Sequence, residues 1–227
     1  MKVAICLSGI PRHLYCTDFL QRIGSWYETV VFLNYWEHDP SICEHQYNGG
    51  GSGKFPVHFH PSKFNSSLYE YHYTHQPFKP LIPVFKKMHS MIMPEARDRP
   101  DIGVFGMFYS ILLSHNMRIE YEQKNSMKFD VVFRARFESG FRFDEGERSI
   151  LDLHAFNINA LHIPDININL ECGMNDQLAF GNGEIMSIYM TAFNRIIPLS
   201  NRFKHSPEWI AHFNTEGITR HSQAIVA

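Results

Sequence analysis

Apolar residues gather near the amino end in two short runs, VAIC (Val3 to Cys6), closed by Ser8-Gly9 and Pro11, and TVVFLNYW (Thr29 to Trp36), closed by His38-Asp39-Pro40. Runs this short, bounded by turn formers, read as strands buried on both faces. Cys16 to Ile23 lies between them and is long enough for about two helical turns. A strand-helix-strand opening predicts an α/β protein whose central sheet is mostly parallel and flanked by helices. Further on, Val104 to Lys124 carries Phe105, Phe108, Leu112 and Ile119 at helical spacings, with Glu120 and Lys124 as an i,i+4 pair. It should form the longest helix, packed beside the strand FDVVF at Phe129 to Phe133. Phe156 to Ile163, closed by Pro164, is another strand candidate. The run Asn175 to Gly181 leads into a helix from about Glu184 to Ile197, stopped near Pro198. Ser206-Pro207-Glu208-Trp209 reads as a helix start, with serine as cap and proline at the first helical position.

The segment from 41 to 100 breaks this rhythm. Gly49 to Gly53 reads GGGSG, and Pro56, Pro61, Pro77, Pro80 and Pro83 follow. Such punctuation predicts an irregular excursion from the core, placed to act as an acceptor lid. With 227 residues, 44% of them hydrophobic and 14% aromatic, the chain can bury one sizeable core, and a single domain over 1–227 is expected.

Charge and cysteine usage narrow the function classes. A formal net charge of −2 gives no global field for nucleic acid or an anionic membrane, so any anionic ligand must meet local positive groups. No apolar run approaches a bilayer span. Cysteines 6, 16, 43 and 172 form no CxxC pair, which fits reduced thiols and a cytoplasmic setting.

The chemistry concentrates in Phe129 to Phe143, FDVVFRARFESGFRF. If the strand runs on, Arg134, Arg136 and Glu138 share one face. Buried charges need partners, so this face meets either an anionic ligand or a structural ion network drawn from Asp130, Glu138 or Asp144. Ser8-Gly9 either lets a ligand approach the backbone closely or simply makes a turn. No Gly-x-Gly-x-x-Gly follows, which argues against a dinucleotide. Asp176, between Asn175 and Gln177, is a candidate general base or an Asx-turn and capping residue. Fourteen histidines, with His58, His60, His72 and His75 close in sequence, raise a metal-dependent hydrolase as an outside reading, although no Cys-His zinc spacing accompanies them. Gly-x-Ser-x-Gly is absent.

Taken in order, several blocks resemble a family of small GT-A-type glycosyltransferase-like proteins of bacterial polysaccharide clusters and large DNA viruses. They are Leu7-Ser8-Gly9-Ile10-Pro11-Arg12; Phe32 to Trp36; Met107 to Ile111; Tyr121-Glu122; Phe129 to Arg136; Asn175-Asp176-Gln177 with Phe180-Gly181, Met186 and Tyr189; and Pro207-Glu208. The likeness spans most of the chain outside 41–100. It implies a GT-A-like, Rossmann-type fold, a nucleotide-sugar donor, a glycan or other hydroxyl acceptor, and a role in polysaccharide biosynthesis. It also implies donor binding by Ser8, Gly9, Arg12, Arg134, Arg136 and Asn175, with Asp176 as base and Glu208 as a second acceptor or base residue. Arginine's planar fork suits a diphosphate. Where the family carries Asp after the second arginine, this chain has Glu138, the residue offered to Mn²⁺ or Mg²⁺. Its longer arm displaces the carboxylate by about one methylene, which a magnesium site tolerates poorly. That departure, with the lack of an Asp-x-Asp triplet, leaves a catalytically inert nucleotide-sugar or glycan-binding module as the alternative.

Overall fold

The structure, a computed structural model, describes residues 1–11, 14, 16–37, 60–77, 79–92, 102–137, 152–163, 178–196 and 198. Among the described residues five strands form one sheet: β1 (Lys2–Gly9), β2 (Glu28–Trp36), β3 (Glu70–Gln76), β4 (Val131–Ala135) and β5 (Leu178–Gly181), in the order β3-β2-β1-β4-β5. The first four are mutually parallel, and β5 runs antiparallel to β4. This is the expected mixed α/β architecture of Rossmann type.

Among the described residues the sheet is flanked by helices α1 (Cys16–Trp26), α2 (Ile82–Ile92), α3 (Ile102–Lys124) and α4 (Gly183–Met190). Strand alternation divides the core in two. Val3, Ile5, Leu7, Val31, Leu33, Val131 and Phe133 face α1 through Phe19, Leu20 and Ile23. Ala4, Cys6, Val30, Phe32, Val132 and Ala179 face α2, α3 and α4 through Phe85, Phe105, Phe108, Ile111, Met186 and Met190. The split follows from chain direction. β1 to β2 moves one way across the sheet and β3 to β4 the other, so right-handed crossovers must place α1 and α3 on opposite faces.

Several sequence expectations need correction. The excursion over 41–100 is ordered in its described part, for Glu70–Gln76 pairs with β2 along its whole length and Ile82–Ile92 is helical. The prolines cap these elements: Pro61 opens a 3-10 turn over Pro61–Phe64, with Phe64 buried against the α1 side of the sheet. The long helix spans Ile102–Lys124 but packs mainly over β1 and β2, while the short α4 covers β4. Phe156 to Ile163 forms no strand. Asn157 folds it into a turn, accepting from Asn159 N at 3.2 Å through its side chain and from Ala160 N at 3.0 Å through its carbonyl, and a lone bridge joins His162 to Phe180. The helix expected from Glu184 to Ile197 is capped by Asn182, whose Oδ1 accepts from Glu184 N and Ile185 N, and is interrupted once: α4 ends at Met190, where the Thr191 hydroxyl donates to the Ser187 carbonyl at 2.7 Å, and helical backbone resumes over 193–196. The Ser206 helix start lies outside the described residues.

The amino-terminal edge of the sheet is pinned by polar contacts. Lys2 N donates to Asp130 Oδ2 at 2.7 Å, and Asp130 N donates to the Lys2 carbonyl at 2.9 Å. Just behind, Glu122 is buried and accepts from Arg118 Nη1 at 2.8 Å, Lys128 Nζ at 3.0 Å and Phe129 N at 3.3 Å. Arg118 continues to Ser187 Oγ of α4 at 2.9 Å.

Candidate functional site at the carboxyl edge of the sheet

In open α/β sheets, ligands bind beyond the carboxyl ends of the strands, at the point where successive connections leave in opposite directions. Here that point lies between β1 and β4. β1 ends in Ser8-Gly9 and β4 ends in Arg134-Ala135, with Arg136 next along the chain. Cys6 pairs with Arg134 and Leu7 with Ala135, so the end of β1 and the arginine pair are neighbours across one strand spacing.

Each side chain owes its place to strand parity. Arg134 stands in register with Cys6 on one side and Ala179 on the other, and so belongs to the α3 face. Both neighbours are small, which leaves lateral room for a long side chain on an otherwise apolar face. Arg134 is fully buried and Arg136 half-buried. The strand itself stops at Ala135, so Arg136 lies just beyond it and Glu138 lies outside the described residues. Phe137 keeps to the α1 side with Ala135, as alternation expects, and packs against Phe64 with ring centroids 6.0 Å apart, while its carbonyl accepts from Cys16 N at the start of α1 at 3.3 Å. Asp130, one proposed counter-ion for the arginines, caps the other end of β4, about four residues or ~13 Å away along the strand. It is not their partner.

One cross-strand row further on, Ser8 pairs with Asn34, and Asn34 with Thr74. Asn34 Nδ2 donates to Thr74 Oγ1 at 2.9 Å. Helix α3 supplies Ser110, whose hydroxyl donates to Asn34 Oδ1 at 2.7 Å and accepts from Gly9 N at 3.0 Å. Gln76 Nε2 reaches the same Asn34 oxygen at 3.3 Å. Ser8 Oγ is buried and meets no hydrogen-bond partner among the described residues. Gly9 has φ +115°, a conformation costly for any side chain, and a Cβ there would meet nothing within 4 Å. The edge is open at Gly9, yet its N–H is already committed to Ser110. A ligand can approach this backbone closely without using that donor.

Of the residues expected from the sequence, Ser8, Gly9, Arg134 and Arg136 are brought together here. Arg12, Glu138, Asn175, Asp176 and Glu208 lie outside the described residues. Asn34, Thr74, Gln76 and Ser110 were missed. The available signal was Asn34, a lone amide inside an apolar run. Trp36 is packing: it lies against Phe85 and Tyr109, at 6.3 Å from each ring.

Among the described residues the histidines do not gather. His60 caps the 3-10 turn, accepting from Ser62 N; His72 sits 2.7 Å from Glu70, and His75, on the other face of β3, lies 3.0 Å from Glu37. His58 is outside the described residues. Among the described residues no three His, Cys, Asp or Glu side chains group to hold a metal. Burial pushes the Cys6 thiol up to about 12, leaving it protonated and inert. His115 is pushed down to about 4 by burial and then by Arg118, whose Nη2 lies 3.1 Å from its Nδ1. The imidazole is therefore neutral at pH 7, with Nδ1 the acceptor.

The fold and this edge define a Rossmann-type α/β protein with an arginine-bearing switch point. No family model matches the chain, and no curated protein does. Among the described residues no helix is long and apolar enough to cross a membrane.

Proposed function

We propose that this chain is a glycosyltransferase that holds a nucleotide-sugar diphosphate at the carboxyl edge and passes the sugar to a hydroxyl of a glycan acceptor. The observation that carries this reading is the register of β1 against β4, which sets Ser8-Gly9 beside Arg134 and Arg136 at the switch point of the sheet. A diphosphate is a compact anion, and paired guanidinium groups beside an open backbone turn suit it. Asp130 caps the other end of β4, while Glu138 and Asp144, the remaining counter-ions offered to the arginines, lie outside the described residues. In this mechanism the arginines offset charge on the leaving diphosphate. Asp176 takes the acceptor proton, with Glu208 second in line, and Glu138 is the residue available to Mn²⁺ or Mg²⁺.

The test is a thermal-shift screen of UDP-, GDP-, CMP- and dTDP-sugars with and without Mn²⁺, repeated on two variants. Arg136→Lys keeps the charge but loses the fork, and should weaken donor binding roughly tenfold or more. Asp176→Asn should leave donor binding intact and lower turnover at least about a hundredfold. Unchanged donor affinity in Arg136→Lys removes the phosphate assignment. Donor binding without turnover in the parent protein favours the inert binding module.

A further inference from the structure

The exposed face of the sheet edge carries a feature that the transfer reading does not use. On β3, Tyr71, Tyr73 and His75 alternate onto the α1 side, in register with Val31, Leu33 and Tyr35 of β2. Tyr71 and Tyr73 stack at 6.3 Å and 21°, and Tyr35 lies 5.7 Å from His75. Tyr71 and Tyr35 pack partly on the core and so fix the row from beneath, while Tyr73 is 49% exposed. Polar tips border the rings: three phenols, and the His75–Glu37 pair at 3.0 Å. The row runs toward the same carboxyl edge as the candidate site, with Tyr35, Glu37 and His75 at its end.

From this arrangement we infer that the Tyr71–Tyr73–His75 face is a docking platform for a neutral glycan. A pyranose presents a face of C–H bonds with partial positive charge, which packs on the negative face of an aromatic ring. Its equatorial hydroxyls then meet the phenols, imidazole and carboxylate around the rings. Stacking rows also bind single-stranded nucleic acid, but such sites need cations along the row to hold phosphates. Neither β2 nor β3 contains a lysine or arginine, and Glu37 and Glu70 are acidic. Charge thus selects an uncharged ring ligand. The platform needs no donor chemistry and stands or fails separately from the transfer reading.

The experiment is a neutral-glycan array, followed by saturation-transfer NMR with an array-positive oligosaccharide and with cellopentaose and maltopentaose, on the full chain and on Tyr73→Ala and Tyr73→Phe. The expected result is binding through the sugar C–H face, weakened roughly three- to tenfold in Tyr73→Ala and kept in Tyr73→Phe. Tyr73 is half exposed, so both variants should fold, and an unchanged melting temperature checks this. No binding to any neutral glycan, equal binding by Tyr73→Ala, or competition by poly-dT at the same face overturns the inference. So does capture of a second copy of the chain through this face. Nucleotide-sugar shifts read on the same variants separate the two proposals, because they should not move.

Discussion

Ser110→Ala tests how the carboxyl edge is held. Ser110 is fully buried in α3, and its hydroxyl joins two strands by accepting from Gly9 N at 3.0 Å and donating to Asn34 Oδ1 at 2.7 Å. Truncation leaves both groups short of a partner. The Gly9 amide is only part-buried, so water can recover some of its loss, whereas Asn34 is buried and its Oδ1 keeps only the longer bond from Gln76 at 3.3 Å. A group left unsatisfied in the interior costs about 1–3 kcal/mol and a neutral bond that water can replace about 1. The sum is roughly 2–4 kcal/mol. For a chain of this size that is about 4–16 °C in melting temperature. Urea unfolding should show a lower midpoint at unchanged slope. Because the lost bond fixes the Gly9 turn, the shift induced by a bound nucleotide-sugar should fall as well. A loss under about 0.5 kcal/mol would refute the hydrogen-bond reasoning. A full loss of stability with an undiminished donor shift would instead show that the Gly9 turn is no part of the site.

Glu122→Ala strands Arg118 without its buried carboxylate and should cost about 3–5 kcal/mol in urea unfolding. It should nevertheless leave the donor-induced shift of the folded fraction unchanged, since the pair sits at the opposite end of the sheet, and Lys128→Ala should cost under about 1 kcal/mol because that lysine is solvent-exposed. His115 has a folded pKa near 4, below its unfolded value of 6.5, so the unfolded chain binds more protons between these values. Its contribution is complete above pH 6.5 and is lost as pH falls toward 4, at no more than about 1.4 kcal/mol per pH unit. Denaturation midpoints at pH 7 and 5 should converge in His115→Gln, and an unaltered pH slope in that variant would remove the assignment.

The parts of the fold legible in the sequence are those buried on both sides. β1, β2 and β4 are continuous apolar runs because helices cover both faces, and α3 shows its helical spacing over six turns. β3 was hidden for the opposite reason. As the sheet edge it reads EYHYTHQ, with no aliphatic residue, and it sits among prolines that cap its neighbours rather than disrupt them. β5 has only four residues, and its partner β4 supplies what LAFG alone does not announce. The alternation read from FRARF holds for Ala135 and Phe137, which share the α1 side, although the ladder itself ends at Ala135 and Glu138 lies outside the described residues.

Polar content along the α3 face ties these observations together. The cross-strand rows from the amino end read Ala4 with Val30 and Val132, then Cys6 with Phe32 and Arg134, then Ser8 with Asn34 and Thr74. A polar group inside a doubly covered sheet costs free energy unless it is bonded, so each must be accounted for. At the amino end Glu122 does so through three donors and needs nothing from outside. At the carboxyl end Asn34, Ser110, Thr74 and Gln76 satisfy one another, while Ser8 Oγ remains without a partner among the described residues beside a glycine with open space over it. Hydrogen-bonding capacity left over in an ordered, buried row is what a ligand would use. It falls next to Arg134 of β4 rather than at the fully engaged carboxylate, which is why the carboxyl edge is the place to look for a ligand.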